Sequence, residues 1–196
     1  METLPGGCEL LLCTFNARYA HASLGLRRLR AQLGPLRERC GLLEFDLETR
    51  AIDAAARIIE AQPRLLGLGV YIWNVEQSRD LLRLLYALEL PLLICLGGPE
   101  LGHETDDGEW LALSDFIIRG EGELVFAELA RACLALPRSV PNEIVREYVV
   151  GRLSKSEHVR KVHDFRAGDA KLIDAELVPV EQLSPVDGEY SEEDLA

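Results

Sequence analysis

Leu65-Leu-Gly-Leu-Gly-Val-Tyr-Ile72 decides the fold. The stretch is apolar at successive rather than alternate positions, so a strand built from it is covered on both faces. A central strand of a parallel sheet between two helix layers meets that condition. The flanking sequence supplies the layers. Downstream, Asn74 can cap a helix whose buried stripe is Leu81, Leu82, Leu84, Leu85 and Leu88. Pro91 opens the next apolar run, at 92–96, which ends in Gly97-Gly98-Pro99. Asp115-Phe-Ile-Ile118 is another, closed by Arg119-Gly-Glu-Gly-Glu123 and followed by a helix over about 124–136 that stops at Pro137. Upstream, a strand at 9–15 precedes Ala22, Leu24, Leu26, Leu29 and Leu33, which recur at helical spacing until Gly34-Pro35. The run at 42–47 alternates more, as expected near a sheet edge, and the helix at 51–61 is closed by Pro63.

Five strands interleaved with helices imply an α/β fold: a five-stranded, doubly wound parallel sheet of Rossmann-like, flavodoxin-like type, in the order 2-1-3-4-5. Beyond Pro137 the pattern changes. Ile144-Val-Arg-Glu-Tyr-Val-Val150 reads as a strand and Gly151 as a turn. No Lys or Arg follows Lys171, while eight Asp or Glu fall within 174–196. The expected organisation is an α/β domain at 1–136, a strand-containing extension at 137–173 and a loosely held acidic linker at 174–196.

The 196 residues are 48% hydrophobic and 28% charged, which excludes disorder of the whole chain. A net charge of −12 repels phosphate backbones, so no nucleic-acid partner is expected. No apolar run approaches the roughly 20 residues of a membrane helix, and no signal peptide is recognisable, so a cytoplasmic location is expected. Cys8, Cys13, Cys40, Cys95 and Cys133 are odd in number and dispersed through apolar strings. They read as buried free thiols, without the spacing of a disulfide framework, zinc site or iron–sulfur cluster.

Ligands of open parallel sheets bind at the carboxyl ends of the strands. Those ends carry Asn16-Ala17 with His21 and Ser23, then Tyr71, Trp73 and Asn74, then Gly97-Gly98-Pro99-Glu100, and finally Gly120-Glu121-Gly122. Glycines there let backbone approach a ligand, and amides at helix starts can donate to it. Each group also has a purely structural reading: a tight turn at Gly97-Gly98-Pro99, packing for Tyr71 and Trp73, helix-terminus charge for Glu121, a hydrogen-bonded structural role for His21. No catalytic triad, P-loop or paired-His metal site can be read from the spacing. Gly120 and Gly122 do not form a dinucleotide fingerprint.

Together these segments resemble the N-terminal region of cobalamin-binding-domain radical S-adenosylmethionine proteins. The resemblance rests on Thr14-Phe-Asn-Ala-Arg-Tyr-Ala-His-Ala-Ser-Leu-Gly-Leu26, Tyr71-Ile-Trp-Asn-Val-Glu-Gln77, Leu96-Gly-Gly-Pro-Glu100 and Ile118-Arg-Gly-Glu-Gly-Glu123. Residues 183–195 resemble the linker into the radical barrel. The resemblance implies a module that holds cobalamin against that barrel, supplied in cis or in trans, with the rim residues just named as cofactor-binding positions. The corrin would lie over the strand ends and its nucleotide tail would thread between sheet and helix.

Two departures qualify what carries over. The cysteine triplet that holds the family's four-iron cluster has no counterpart, so cluster and S-adenosylmethionine belong to a domain beyond this chain, which by itself is expected to be non-catalytic. Histidine-ligating cobalamin domains use Asp-x-His-x-x-Gly after the first strand, whereas Tyr19 stands where Asp would be and Gly25 comes four residues after His21. Cobalamin without histidine ligation is therefore implied, and no residue is assigned to a metal. Two other readings stay open: a nucleotide- or flavin-binding doubly wound domain, and an interaction module that has lost its cofactor.

Overall fold

A computed structural model describes residues 8–17, 22–102, 108–163, 170–179 and 182–184. Strands β1 (Leu10–Asn16), β2 (Cys40–Asp46), β3 (Leu65–Gly69), β4 (Leu93–Gly97) and β5 (Phe116–Arg119) pair in the order β2-β1-β3-β4-β5, all parallel. That is the expected arrangement. The sheet then continues through β7 (Lys171–Ala175), parallel to β5, to an antiparallel edge strand β6 (Val159–His163), giving seven strands instead of five. The run at 65–72 is strand only to Gly69; buried Val70 still donates its N–H to Gly97 O of β4 at 2.7 Å before the chain enters the loop ahead of the next helix.

Helices α2 (Ala51–Ala61), α3 (Val75–Ala87) and the short α4 (Gly108–Ala112) cover one face, packing Ile58, Leu81, Leu85 and Trp110 onto Leu66, Leu68 and Ile94. Helices α1 (Leu24–Gln32), α5 (Glu123–Ala135) and α6 (Asn142–Leu153) cover the other. Period-2 alternation divides each strand between the layers. In β3, Leu66 and Leu68 enter the α2–α3 layer while Leu65 enters the α1–α5 layer; in β4, Ile94 and Leu96 oppose Leu93 and Cys95 in the same way. Among the described residues no helix is long and apolar enough to cross a membrane.

Residues 144–150 correct the sequence reading: they are helix, not strand. Their β-branched content suggested a strand, but Val145, Val149 and Leu153 recur at i, i+4 and i+8 and are the residues α6 buries against α5. Tertiary burial outweighs a modest β-propensity. Residues beyond 136 thus complete the same core. Ala170, Leu172, Ile173 and Ala175 are buried within it, and the expected boundary at 173 falls inside β7.

Two ion pairs lock α6 to the sheet. Arg146 bonds Asp115 Oδ1 at 2.7 Å, while Asp115 Oδ2 accepts the Ile94 backbone N–H at 2.8 Å. Buried Lys171 reaches Glu147 at 2.9 Å. Burial pushes the Asp115 carboxyl above its ordinary pKa, against the pull of the Ile94 N–H and the Arg146 guanidinium. Arg146→Ala should therefore strand a buried carboxylate and cost about 3–5 kcal/mol at neutral pH. The raised pKa means the fold favours the protonated acid. The deficit should shrink as pH falls towards the ordinary carboxyl range and Asp115 takes a proton. Urea unfolding of wild type and Arg146→Ala at pH 7.5 and pH 5 measures both; an equal deficit at the two pH values would refute the assignment.

Candidate cofactor cleft

The C-terminal end of the sheet is shaped by what its α1–α5 face lacks. Beyond Leu65, the β3 residues that point to that face are Gly67 and Gly69, and in register they stand beside Cys95 and Gly97 of β4. Leu12 and the Phe126 ring close over Gly67, where a Cβ would lie 2.7 Å from Leu12 Cδ2, while the space over Gly97 stays open. The result is a cleft of about 230 Å³, walled by Leu26 and Leu29 of α1 and Phe126 of α5. Its lining is mostly apolar carbon. Tyr71 and Glu121 stand at its rim with Gly98, Gly120 and Gly122.

Two of these glycines have backbone duties as well. Gly98 adopts φ +118°, and a Cβ there would lie 2.2 Å from the Val70 carbonyl oxygen, so two backbones meet with no room for a side chain. Gly120 adopts φ +88° and packs against Ala175 at the end of β7. Gly97 is different. Its φ is not left-handed, and a Cβ would meet nothing nearer than the Ile118 carbonyl oxygen at 3.8 Å, so a side chain there would grow into the cleft.

The rim loops are fixed by a buried polar network. Asn74 is fully buried at the N-cap position of α3, but its side chain does not cap the helix as expected. Its Oδ1 instead accepts the Tyr71 N–H at 2.8 Å. Its Nδ2 donates to Thr14 Oγ1 (3.1 Å), Phe15 O (3.0 Å) and Gly69 O (3.2 Å). Thr14 Oγ1 in turn donates to Gly69 O at 2.8 Å. One amide thereby ties the ends of β1 and β3 to the loop between β3 and α3, where leaving these groups unmade would cost about 1–3 kcal/mol each. Trp73 donates its indole N–H to Phe15 O at 3.1 Å and stacks on Tyr71, with centroids 4.7 Å apart and planes 7° from parallel.

The first loop has its own clamp. Glu44 of β2 accepts the Ser23 backbone N–H and the Asn16 Nδ2 (3.1 Å), and pairs with Arg27 at 2.7 Å. Ser23 caps α1, its Oγ accepting the Leu26 N–H at 3.4 Å. Glu44 escapes sequence reasoning because it stands mid-strand, 21 residues from Ser23 and 28 from Asn16, the loop residues it fixes.

Of the expected site residues, the structure brings Tyr71, Gly97, Gly98, Gly120, Glu121 and Gly122 to the cleft. Asn16, Ser23, Trp73 and Asn74 hold the surrounding loops through the contacts just described. Ala17 is exposed, and Pro99 and Glu100 sit in a short 3₁₀ turn outside the cleft lining. His21 lies outside the described residues. The residues missed are the floor and wall: Gly67, Gly69, Cys95, Leu26, Leu29 and Phe126. The signal for the floor was the i, i+2 spacing of the two glycines, which assigns both to one face.

All five cysteines are buried and unbridged. Burial pushes the Cys13, Cys40 and Cys133 thiols up to about 12, far from a reactive thiolate at neutral pH. Among the described residues no group of three or more His, Cys, Asp or Glu side chains could hold a metal ion.

A family model described as "B12 binding domain" matches residues 11–130. No curated protein matches the chain. Among solved structures, the chain is similar to the cobalamin-dependent S-adenosylmethionine radical enzyme OxsB, determined with aqua-cobalamin and S-adenosylmethionine bound. The TM-score is 0.52 at 18% identity, over 62% of this chain and 18% of that one. At that identity the likeness is one of fold, and this chain corresponds to less than a fifth of the OxsB chain.

The two neighbouring glycines separate packing from ligand space. Gly98→Ala should destabilise the fold by about 2 kcal/mol or more, through strain at positive φ and collision with Val70. Gly97→Ala should cost less than about 1 kcal/mol. Urea denaturation of both variants tests the pair; equal losses would show that Gly97 too is held by packing.

Proposed function

The chain belongs to the B12-binding domain family, and on that premise we propose that it holds cobalamin for a radical S-adenosylmethionine barrel supplied in cis or in trans, and is non-catalytic by itself. The observation that carries this reading is the glycine-floored cleft at the C-terminal ends of β3 and β4. The residues present fit the group. Gly69 and Gly97 remove the side chains that would fill the space, and the apolar walls suit the flat heterocyclic base of a cobalamin tail. The corrin would lie over the strand ends outside the cleft, bordered by Tyr71, Gly98 and the turn at Gly120-Glu121-Gly122. OxsB, which shares the fold, was solved with both cobalamin and S-adenosylmethionine.

Bound cobalamin supplies the cobalt chemistry, and the residues here orient and shield it. Cobalt is not ligated by His21 in this reading, because Tyr19 occupies the place of the aspartate that would orient such a histidine. The iron–sulfur cluster and S-adenosylmethionine are assigned to the barrel; the five thiols of this chain are separately committed to the core. Free buried thiols also suit a reducing, cytoplasmic compartment.

Titration with hydroxocobalamin, followed by visible absorption, tests the assignment. Wild type should bind and shift the cobalt bands. Gly97→Leu should fill the cleft and weaken binding about tenfold or more, equivalent to about 1.4 kcal/mol, with the fold intact by circular dichroism. His21→Ala should leave the band positions nearly unchanged. A strong band shift in His21→Ala would establish histidine ligation. Tight binding of a flavin or nucleotide with none of cobalamin would assign the cleft to that ligand class instead.

A further inference from the structure

Tyr71 lines the cleft between the end of β3 and the start of α1. Its ring spans the gap between the last residue of β3 and the first turn of α1. A Cβ built on Gly69 would lie 3.3 Å from Tyr71 Cε2, and one built on Gly25 would lie 2.8 Å from the Tyr71 hydroxyl. Both glycines and the tyrosine line the cleft. The ring therefore occupies the route between sheet and helix, and Gly25 and Gly69 are the positions whose lack of a side chain lets it lie there.

The backbone beneath the ring is fixed. The Tyr71 N–H is held by Asn74, itself fully buried, and Trp73, on which the ring stacks, is pinned to Phe15. The side chain has no comparable anchor. Among the described residues its hydroxyl makes no hydrogen bond, and the stack on Trp73 is the specific interaction with them that holds the ring in place. A side chain on a rigid base, held by one aromatic stack, can rotate without disturbing the fold.

We propose that Tyr71 is the gate of the cofactor cleft: the ring closes the mouth while stacked on Trp73 and must swing away before the tail of the cofactor can enter. This rests on the cobalamin reading of the cleft. Stacking of aromatic pairs contributes about 0.5–1.5 kcal/mol, which corresponds to a roughly 2- to 12-fold difference between closed and open populations. Removing the gate should raise the association rate by a factor in that range.

Stopped-flow mixing with hydroxocobalamin measures the rate on three variants of the full chain. Tyr71→Ala removes the ring. Gly25→Ala leaves the ring but places a methyl 2.8 Å from its hydroxyl, on a helix that accepts alanine readily, and so disfavours the closed position. Tyr71→Phe keeps ring and stack. Tyr71→Ala and Gly25→Ala should both associate faster than wild type, and Tyr71→Phe should stay within about twofold of it. Because the two opening substitutions lie on different elements, a folding defect in one leaves the other decisive. If wild type binds but neither variant associates faster, the gate is refuted and the cofactor assignment stands. If wild type gives no absorbance change at all, the cofactor assignment fails and the gate with it.

Discussion

The register between β3 and β4 is the constraint on which the site depends. Pairing Gly67 with Cys95 and Gly69 with Gly97 places every small residue of the two central strands on one face, while Leu66, Leu68, Ile94 and Leu96 fill the other. A slip of one residue would exchange the faces. The leucines would then block the α1–α5 side, and the glycines would open a void under α2 and α3, where Leu81, Leu82 and Leu85 now pack. Core packing on one side therefore enforces the hollow on the other. The cleft follows from the same alternation that builds the core.

A hollow of this kind needs rigid edges, and the rim obtains them by burying polar groups completely. Thr14 and Asn74 are both fully inaccessible, and their hydrogen bonds run to backbone atoms at the ends of β1 and β3. Satisfied, such a network fixes one loop conformation; half-satisfied, it would destabilise the fold. Glu44 does the same from β2, gathering Asn16, Ser23 and Arg27 around one carboxylate. The loops that face a ligand are thus held from behind, leaving the Tyr71 ring and the exposed Ile72 and Trp73 edges towards the open end.

How far the sequence discloses this depends on the range of the interaction. Strands β1 to β5 and their order are legible because each apolar run is local and each crossover is limited by handedness. The glycine floor is legible in principle, since Leu65-Leu-Gly-Leu-Gly69 puts two glycines at i and i+2, but a run read as apolar on both faces hides it. Residues 144–150 mislead because Ile, Val and Tyr favour strands, while the contacts that make them helical lie on α5. Strands β6 and β7 escape because their partners are remote or polar: Lys171 is buried with an ion pair to Glu147, and β6 is half-buried to exposed at the sheet edge. Gly98 can be read as a turn glycine, but nothing local shows that it abuts the backbone of Val70.

The C-terminal segment belongs to the frame of the site for a reason the acidic composition conceals. Beyond β7, the Val178 N–H is accepted by Glu121 Oε2 at 2.9 Å, so the turn that borders the cleft is tied to the chain leaving the sheet. Further on, Gln32 at the end of α1 exchanges two hydrogen bonds with the Ser184 backbone, each 3.0 Å. Residues 178 and 184 are thereby fixed to two elements that border the cleft: the β5–α5 turn and α1. Side-chain-to-backbone bonds at residues 178 and 184, together with the burial of Val178, fix the segment's path there. A displacement of that path would act first on Glu121 and α1, the parts of the cleft not built into the sheet.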